Sequence, residues 1–171
     1  GVDLQHRSEA DLLDRAILSA DLHVRVALPT GVHAAQGESM LLLDEAESVF
    51  GPSAVLYHER EIHAEALGLT EVAGAAAKRR DELAPQTPWE FYALGRSLLE
   101  KGNLEDAARL FERAVELQPE GIWPNFYQGT CAYRRGRYDD AVIAFTACVG
   151  AAPHLAGCFY SRALDYTALG R

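Results

Sequence analysis

Apolar residues in the second half of the chain follow a helical period. They form two stripes with spacings of three or four residues, Phe91-Leu94-Leu98 and Ala107-Phe111-Ala114. This spacing predicts two amphipathic helices. The polar stretch between the stripes contains Gly102, and a glycine there can close a helix in the left-handed conformation. Thr87, Pro88 and Glu90 precede the first stripe in the order of a helix start with a capping box. The segment therefore predicts a helix–turn–helix unit.

The helix–turn–helix pattern is repeated later in the chain. "GNLEDAARLF" from Gly102 returns as "GRYDDAVIAF" from Gly136, 34 residues later. Further small, aromatic and proline positions recur at the same distance: Gly95 and Gly129, Ala107 and Ala141, Phe111 and Phe145, Ala114 and Cys148, Pro119 and Pro153. Small residues let paired helices approach closely, and the phenylalanine fills the space towards the neighbouring unit. One helix pair cannot cover its own apolar face, so the pairs must stack, which predicts an all-α protein.

The 34-residue pattern of Leu94, Gly95, Ala107, Phe111 and Pro119 resembles the tetratricopeptide repeat (TPR). The resemblance covers residues 88–121 and 122–155. It implies an all-α fold, a right-handed TPR-type α-solenoid of about nine helices in stacked antiparallel pairs. Unit 122–155 departs from the family pattern at Asn125 and Gln128, where larger apolar residues are usual, and Trp123 can compensate from beside them.

The remaining segments match the 34-residue repeat less closely. Residues 54–87 predict a degenerate TPR-like repeat, with helices near 54–67 and 71–84, in which Glu61 replaces the glycine and Ala77 the aromatic residue. Residues 1–53 predict a divergent N-terminal capping helix pair, whose first helix is expected from Ser8 to about Leu28 and whose second ends at Gly51. Residues 156–171 predict the first helix of a truncated unit.

A second resemblance concerns the stretch "WPNFYQGTCAYRRGRYDDAV" with "HAEALGL" upstream. These residues look like the TPR-containing C-terminal region of large bacterial serine/threonine protein kinases. The chain has none of the kinase motifs, neither the glycine-rich phosphate loop with its lysine nor H-R-D or D-F-G. The resemblance therefore implies a regulatory or docking piece of a longer kinase-containing protein.

The charge and the apolar pattern limit the classes of partner, and the cysteines indicate the cellular compartment. The net charge is −9, and residues 1–86 carry fifteen acidic side chains against seven Lys and Arg. Nucleic-acid binding needs a basic stripe, so no nucleic-acid partner is expected. No apolar run reaches the length of a membrane span, so no membrane partner is expected either. The three cysteines are odd in number and widely spaced, which predicts reduced thiols and a cytoplasmic protein.

Few residues in the sequence suggest catalysis or metal binding. "HEREIH" at 58–63 places His58, Glu59 and His63 close in sequence, but the histidines are five residues apart and point away from each other on a helix. The competing interpretation is a solvated helical face with one histidine against its neighbour. Cys148 takes the position of Ala114 and should be a small core residue. The sequence has no nucleophile elbow. We therefore expect no enzyme, no cofactor and no metal.

The remaining candidate for a functional site is a binding surface. The TPR resemblance implies that the first helix of each pair lines a concave groove, at Trp89, Tyr92, Arg96, Leu99 and Glu100 in one unit and Trp123, Phe126, Thr130, Tyr133 and Arg134 in the next. Aromatic residues with interspersed arginine are typical of recognition surfaces. The predicted function is a non-catalytic module that binds a protein or peptide. The alternatives are a structural spacer without a ligand and a metal or enzymatic domain around His58, Glu59 and His63.

Two alternatives remain open at single sites. Trp89 and Trp123 can instead pack between units, and the three arginines Arg134, Arg135 and Arg137 either meet an acidic peptide or offset the acidic N-terminal half. The covering helix that a complete unit supplies is missing over four residues of the last predicted helix, Phe159, Ala163, Leu164 and Tyr166. Their exposed apolar surface predicts a weak homodimer through this end, which a longer parent protein would not form.

Overall fold

The computed structural model describes the backbone of residues 2–170 and the side chains of residues 12, 13 and 15–170. This part of the chain contains nine helices and no strand, as the repeat pattern predicts. Their bounds are α1 Val2–Val26, α2 Val32–Phe50, α3 Ala54–Ala66, α4 Thr70–Glu82, α5 Pro88–Glu100, α6 Leu104–Leu117, α7 Ile122–Arg134, α8 Tyr138–Ala151 and α9 Ala156–Ala168. The helices fall into two compact units, 1–85 and 86–171.

The first unit contains α1–α4, and consecutive helices pack against each other. Ser39 on α2 is fully buried, and its hydroxyl donates to the Ala20 carbonyl of α1 at 2.8 Å. On α3, Arg60 donates to Glu47 of α2 at 2.7 Å. The predicted start of the first helix at Ser8 is wrong, because α1 already runs through that residue. A serine can sit inside a helix when the surrounding residues are good helix formers, so its presence does not fix a boundary.

Pair α3–α4 shows how residues 54–87 accommodate their departures from the repeat. In the later units a glycine on the first helix faces a phenylalanine on the second. Here the larger residue, Glu61, is on the first helix and the small one, Ala77, is on the second. The Glu61 carboxylate pairs with Arg80 of α4. The pair therefore keeps one large and one small side chain, and an ion pair joins its two helices.

The second unit contains α5–α9, and its helix ends follow the sequence signals. Thr87 and Glu90 form the predicted capping box at the start of α5, with the Thr87 side chain accepting from the Glu90 amide at 3.2 Å. Gly102 and Gly136, which follow α5 and α7, have φ angles of 82° and 73°. Only glycine adopts this left-handed conformation without strain, so both tight turns depend on it.

Within each pair of the second unit, the glycine and the phenylalanine of the repeat are in contact. A Cβ atom placed on Gly95 would lie 2.8 Å from the ring of Phe111, and one placed on Gly129 would lie 2.8 Å from the ring of Phe145. Both rings are buried, with relative exposures of 0% and 2%. The glycines are therefore required because the rings occupy the space that a side chain would need.

Asn125 explains one departure from the family pattern. Its side chain is 2% exposed, and its amide nitrogen donates to the carbonyls of Pro119 and Gly121 at 2.8 Å each. It thus satisfies two carbonyls of the turn that precedes α7, which an apolar residue could not do. Trp123 does not compensate for it by burial, because half of its surface is exposed.

The cysteines differ from the prediction of three reduced thiols. Cys148 of α8 and Cys158 of α9 form a disulfide with a Cα–Cα distance of 5.9 Å. Cys148 is nevertheless buried, as predicted for a small core residue. The two residues are ten positions apart in sequence, and only the packing of α9 on α8 brings them together. Cys131 is a buried free thiol whose pKa is raised by burial, which makes it a poor nucleophile.

Candidate functional site

The first helices of the second unit, α5, α7 and α9, pack side by side and form one face, here called the first-helix face. Helix α7 contacts both α5 and α9. The 34-residue register brings equivalent positions of the three helices onto this face, so that Tyr92, Phe126 and Tyr160 are equivalent residues. A series of aromatic positions therefore crosses the three helices.

The predicted groove residues differ widely in exposure. Tyr92 and Leu99 are buried, with 6% and 3% of their surface exposed. Trp123 and Tyr133 are exposed by 50% and 41%. Arg134 is also exposed, and four further predicted residues are half-buried, Trp89, Arg96, Phe126 and Thr130. The exposed aromatic area among these residues thus comes from Trp123 and Tyr133, both on α7, while Tyr92 and Leu99 of α5 lie beneath the surface.

The aromatic residues of the face are connected in one network. Trp123 meets Phe126 edge to face at a centroid distance of 6.1 Å. Phe126 contacts Tyr127 at 5.5 Å, and Tyr127 reaches Tyr92 of α5 at 5.5 Å. Such offset or edge contacts are favourable arrangements of aromatic rings. The network holds Trp123 on a rigid support, because Phe126 also packs on the buried Phe145 at 5.6 Å.

The arginines of this region are engaged within the protein. Arg96 donates to the Tyr92 hydroxyl at 3.2 Å and lies 5.5 Å from the centre of that ring. Arg134 donates to the Leu99 carbonyl near the end of α5 at 2.7 Å. Both contacts join groups that were predicted to face a ligand. Arg134 thus binds a helix-terminal carbonyl, which is a stabilising place for a cation.

The other two arginines of the sequence cluster form ion pairs. Arg135 donates to Glu105 at 2.6 Å, and Arg137 pairs with Asp140 at 2.6 Å. Both acidic partners belong to the second unit, so these contacts show neither of the two predicted roles, an acidic peptide or the acidic N-terminal half.

Three residues of the first-helix face escaped the sequence analysis. Tyr127, the link between Phe126 and Tyr92, lies one position beyond the groove pattern and was signalled only by its aromatic character. Gly157 and Tyr160 are on α9 and follow Trp123 and Phe126 by 34 residues. The repeat register could have found both residues of α9, had the groove positions been carried over to the truncated unit 156–171.

The "HEREIH" segment lies on α3 and does not form a solvated face, so that interpretation was wrong. His58 and His63 are buried, with 6% and 4% of their surface exposed. The Nδ1 atom of His58 is 3.7 Å from the Glu61 carboxylate. Burial lowers the pKa of His63, while Asp21 acts in the opposite direction. Among the described residues, no group of three or more His, Cys, Asp or Glu side chains is placed to hold a metal ion.

A concave feature lies on another part of the same unit. A cavity of about 180 Å³ is lined by residues of α6, α7 and α8, among them Ala108, Gln128 and the exposed Ile143. Glu112, Arg135 and Asp140 also line it, so both signs of charge are present. The cavity is a separate location against which a site on the first-helix face can be tested.

Comparisons with known proteins agree with this architecture. Residues 92–156 match the family model described as tetratricopeptide repeat. The crystal structure of YrrB, described as a TPR protein with an unusual peptide-binding site, is similar with a TM-score of 0.58 and 21% identity, over 91% of this chain and 76% of that one. A crystal structure of MamA has a TM-score of 0.60 and 15% identity, over 85% of this chain and 87% of that one.

The fold is therefore all-α and of the TPR type, with antiparallel helix pairs as its repeated element. A search of curated proteins found no match to the chain. None of the helices in the described residues is both long enough and apolar enough to span a membrane.

Proposed function

We propose that the chain is a non-catalytic protein-interaction module whose first-helix face binds a peptide or protein. The observation that carries the proposal is Trp123, a tryptophan that is half exposed yet held by Phe126. Exposed, rigidly supported tryptophan and tyrosine side chains are the residue types that dominate binding energy at interfaces. Tyr133 and Tyr160, exposed by 41% and 68%, add to the same face.

Two further points support this proposal. TPR-type architecture in a structural neighbour, YrrB, accompanies a peptide-binding site. Zinc sites require at least three protein donors, and in the described part of the chain no such group forms around His58, Glu59 and His63. The structural spacer remains the competing hypothesis, and it predicts that no peptide binds.

A peptide array tests the proposal. Peptides retained by the protein are measured again in solution with Trp123→Ala, Tyr133→Ala and the control Ile143→Ala. The control truncates an apolar residue of α8 that is 69% exposed and lines the separate cavity. We expect Trp123→Ala to weaken binding roughly tenfold or more, as for an interface hot spot, and Ile143→Ala to leave it unchanged. Peptides that bind all variants equally, or an array without binders, would reject the first-helix face as the site.

Tyr92→Ala and Arg134→Ala are poor choices for the same test. Tyr92 is buried, and Arg134 holds the Leu99 carbonyl. Loss of binding in either variant would therefore not separate a ligand contact from a disturbed fold.

The wider context is also part of the proposal. We propose that the chain belongs to a larger regulatory protein, for which the kinase resemblance gives one hypothesis, and that it has no nucleic-acid or membrane partner. The cytoplasmic location stays a prediction, and the Cys148–Cys158 disulfide removes its reduced-thiol basis, because disulfides are rare in cytosolic proteins. The acidic net charge of −9 supports the absence of a nucleic-acid partner. The sequence of the parent gene would decide the kinase hypothesis.

We also propose weak self-association of the 171-residue chain through α9. Phe159, Leu164 and Tyr166 are exposed by 41%, 40% and 38%. Ala163 is the α9 equivalent of Gly95 and Gly129, and it is exposed, whereas a phenylalanine covers each of those glycines. An antiparallel second α9 would place Phe159 near Tyr166 across a two-fold axis, with the small Ala163 at the centre.

Sedimentation velocity over a wide concentration range tests this association. We expect the sedimentation coefficient to rise with concentration, and Phe159→Glu with Tyr166→Glu to abolish the rise because the buried apolar contact is lost. A monomer at all concentrations, or a dimer that survives both substitutions, would show that α9 is not the interface.

A further inference from the structure

Helix α9 packs on α8 at a junction of the same kind as that between α7 and α6. In both places the first helix of one repeat unit contacts the second helix of the unit before it. The 34-residue register therefore gives each contact of the α6–α7 junction an equivalent position in the α8–α9 junction. Differences between the two junctions show what holds α9 in place.

Three non-covalent contacts of different kinds join α7 to α6: a ring stack, a hydrogen bond to a carbonyl and an ion pair. Their distances are 6.0 Å between the ring centres of Tyr127 and Phe111, 3.2 Å from the Cys131 sulfur to the Leu104 oxygen, and 2.6 Å from Arg135 to Glu105. The junction carries no disulfide, since Cys131 is a free thiol and α6 contains no cysteine.

Each of these three contacts loses its first-helix partner at the α8–α9 junction. The equivalents of Tyr127, Cys131 and Arg135 are Ser161, Asp165 and Leu169. Serine has no ring to stack on Phe145, the equivalent of Phe111, and leucine cannot form an ion pair. An ionised aspartate has no proton to donate to a carbonyl. Helix α9 therefore lacks the kinds of contact that join α7 to α6.

The buried carboxylate of Asp165 opposes the docking of α9. The side chain is 0% exposed, and neither oxygen has a hydrogen-bond partner among the residues that the structure describes. An unpaired charge is costly to bury, so this cost is recovered when α9 leaves α8 and water reaches the carboxylate. Helix α9 lies wholly within the described residues, and Cys158 is its one other buried residue.

The Cys148–Cys158 disulfide stands where the non-covalent contacts are missing. It joins α8 to α9 covalently, at the positions that Ala114 and Pro124 occupy in the other junction. We propose that this disulfide is a redox-sensitive latch. While the disulfide is intact, α9 stays on α8, and once a dithiol has reduced it, α9 undocks at neutral pH.

Opening of the latch is a thiol–disulfide exchange. One thiolate of the dithiol attacks a sulfur of the disulfide, forms a mixed disulfide and releases the other cysteine as a thiolate. The second thiol of the dithiol then attacks the mixed disulfide, closes into a cyclic disulfide and releases the second cysteine. The dithiol gives up two electrons, and its two protons end on the cysteines. Both cysteines are 0% exposed, so attack requires that α9 first moves from α8.

Hydrogen exchange followed by mass spectrometry tests the latch in the 171-residue chain at neutral pH. After reduction with dithiothreitol, we expect the amides of α9 to exchange about a hundredfold faster, because a loop of about ten residues is no longer closed. Amides of α5 and α6 should keep their exchange rates. Equal exchange of α9 in the two states would overturn the inference, and so would an equal acceleration in α5 and α6.

Alkylation with iodoacetamide under denaturing conditions counts the thiols of the same protein. We expect one alkylated cysteine, Cys131, before reduction and all three cysteines after it. Alkylation of all three before reduction would show that the disulfide does not form, and would overturn the inference.

Two cysteine variants separate the latch from a general effect of the reductant. Cys148→Ala combined with Cys158→Ala should give rapid α9 exchange with and without dithiothreitol, because no disulfide can form. Cys131→Ala keeps the disulfide and should respond to dithiothreitol like the parent protein. A response to dithiothreitol in the double variant, or none in Cys131→Ala, would contradict the latch.

Asp165→Asn tests the contribution of the buried carboxylate. In the reduced protein we expect this variant to slow the exchange of α9 roughly tenfold relative to the reduced parent, because no buried charge is released to water. Exchange as rapid as in the reduced parent would overturn the role of the carboxylate. All of these measurements are made without a peptide ligand, so they are independent of the function proposed above.

Discussion

Replacing Phe145 with alanine is expected to lower the free energy of unfolding of the second unit by about 3–5 kcal/mol, the usual effect of deleting a buried phenylalanine ring. The ring is 2% exposed and packs on Phe126 at 5.6 Å. It also fills the space above Gly129, so its removal leaves a cavity between α7 and α8 that neighbouring side chains cannot fill.

Urea unfolding followed by tryptophan fluorescence measures this loss. Both tryptophans of the chain, Trp89 and Trp123, lie in the second unit, so the signal reports on the unit that contains Phe145. A shift of the midpoint without a change of slope would show a change in stability alone. A loss below about 1 kcal/mol would mean that the ring is not a core residue.

Gly129→Ala tests the same contact from the other helix. The added methyl group would lie 2.8 Å from the Phe145 ring, so we expect a loss of roughly 1–3 kcal/mol, as for overpacked cores. Gly150→Ala on α8 is the matched control, because its Cβ meets nothing within 4 Å and alanine favours the helix. Combining Gly129→Ala with Phe145→Leu should cost less than the sum of the two changes, since the smaller side chain makes room for the methyl group.

The fold could be predicted from sequence because the repeat encodes contacts rather than single elements. A glycine and a phenylalanine that recur together mark the two sides of one helix crossing, and the structure places Gly95 against Phe111 and Gly129 against Phe145. Turns were predictable for a similar reason, since Gly102 and Gly136 have the left-handed conformation that ends each first helix.

Features that depend on tertiary packing could not be predicted from the repeat pattern. Asn125 looked like a departure from the pattern, yet it is the residue that binds the carbonyls of Pro119 and Gly121. The pairing of Cys148 with Cys158 depends on how α9 packs on α8, which no spacing rule describes. Boundaries of the first helix were also misplaced, because Ser8 is compatible with both a helix start and a helix interior.

The groove positions stay a prediction, and the exposure of their side chains could not be predicted from the sequence. The repeat register placed the groove positions on α5 and α7 because equivalent residues of a stacked array lie on one face. It could not tell that Tyr92 is buried beneath Arg96 and Tyr127, or that Arg134 is used to bind the Leu99 carbonyl. Side-chain contacts between neighbouring units decide exposure, and a single unit does not contain that information.

Asp165 on α9 is a buried carboxylate that none of the repeat patterns anticipated. It is 0% exposed, and neither of its carboxylate oxygens has a hydrogen-bond partner among the residues that the structure describes. Its position is equivalent to that of Cys131, 34 residues earlier, which is also buried. A charge buried without a partner is costly, and burial accordingly raises the pKa of Asp165 from 3.8 to about 6.

This pKa predicts that the contribution of Asp165 to stability decreases as the pH rises. Because the folded state binds the proton more tightly than the unfolded chain, the contribution of Asp165 is most favourable below the unfolded pKa of 3.8. The contribution declines as the pH rises through about 6 and stays unfavourable above it. The difference between the two pKa values corresponds to a loss of at most about 3 kcal/mol in the free energy of unfolding between pH 3.8 and about 6.

Asp165→Asn should remove this loss, because the amide stays neutral at every pH of the window. We expect the variant to be as stable as the parent near pH 4 and more stable at pH 7 by up to about 3 kcal/mol. Urea midpoints measured across this range give the comparison, with Glu120→Gln as a control that removes an exposed carboxylate of the same unit. Parallel pH profiles for Asp165→Asn and the parent would show that the Asp165 carboxylate ionises as readily in the folded protein as in the unfolded chain. In that case the carboxylate must have polar neighbours or water close to it.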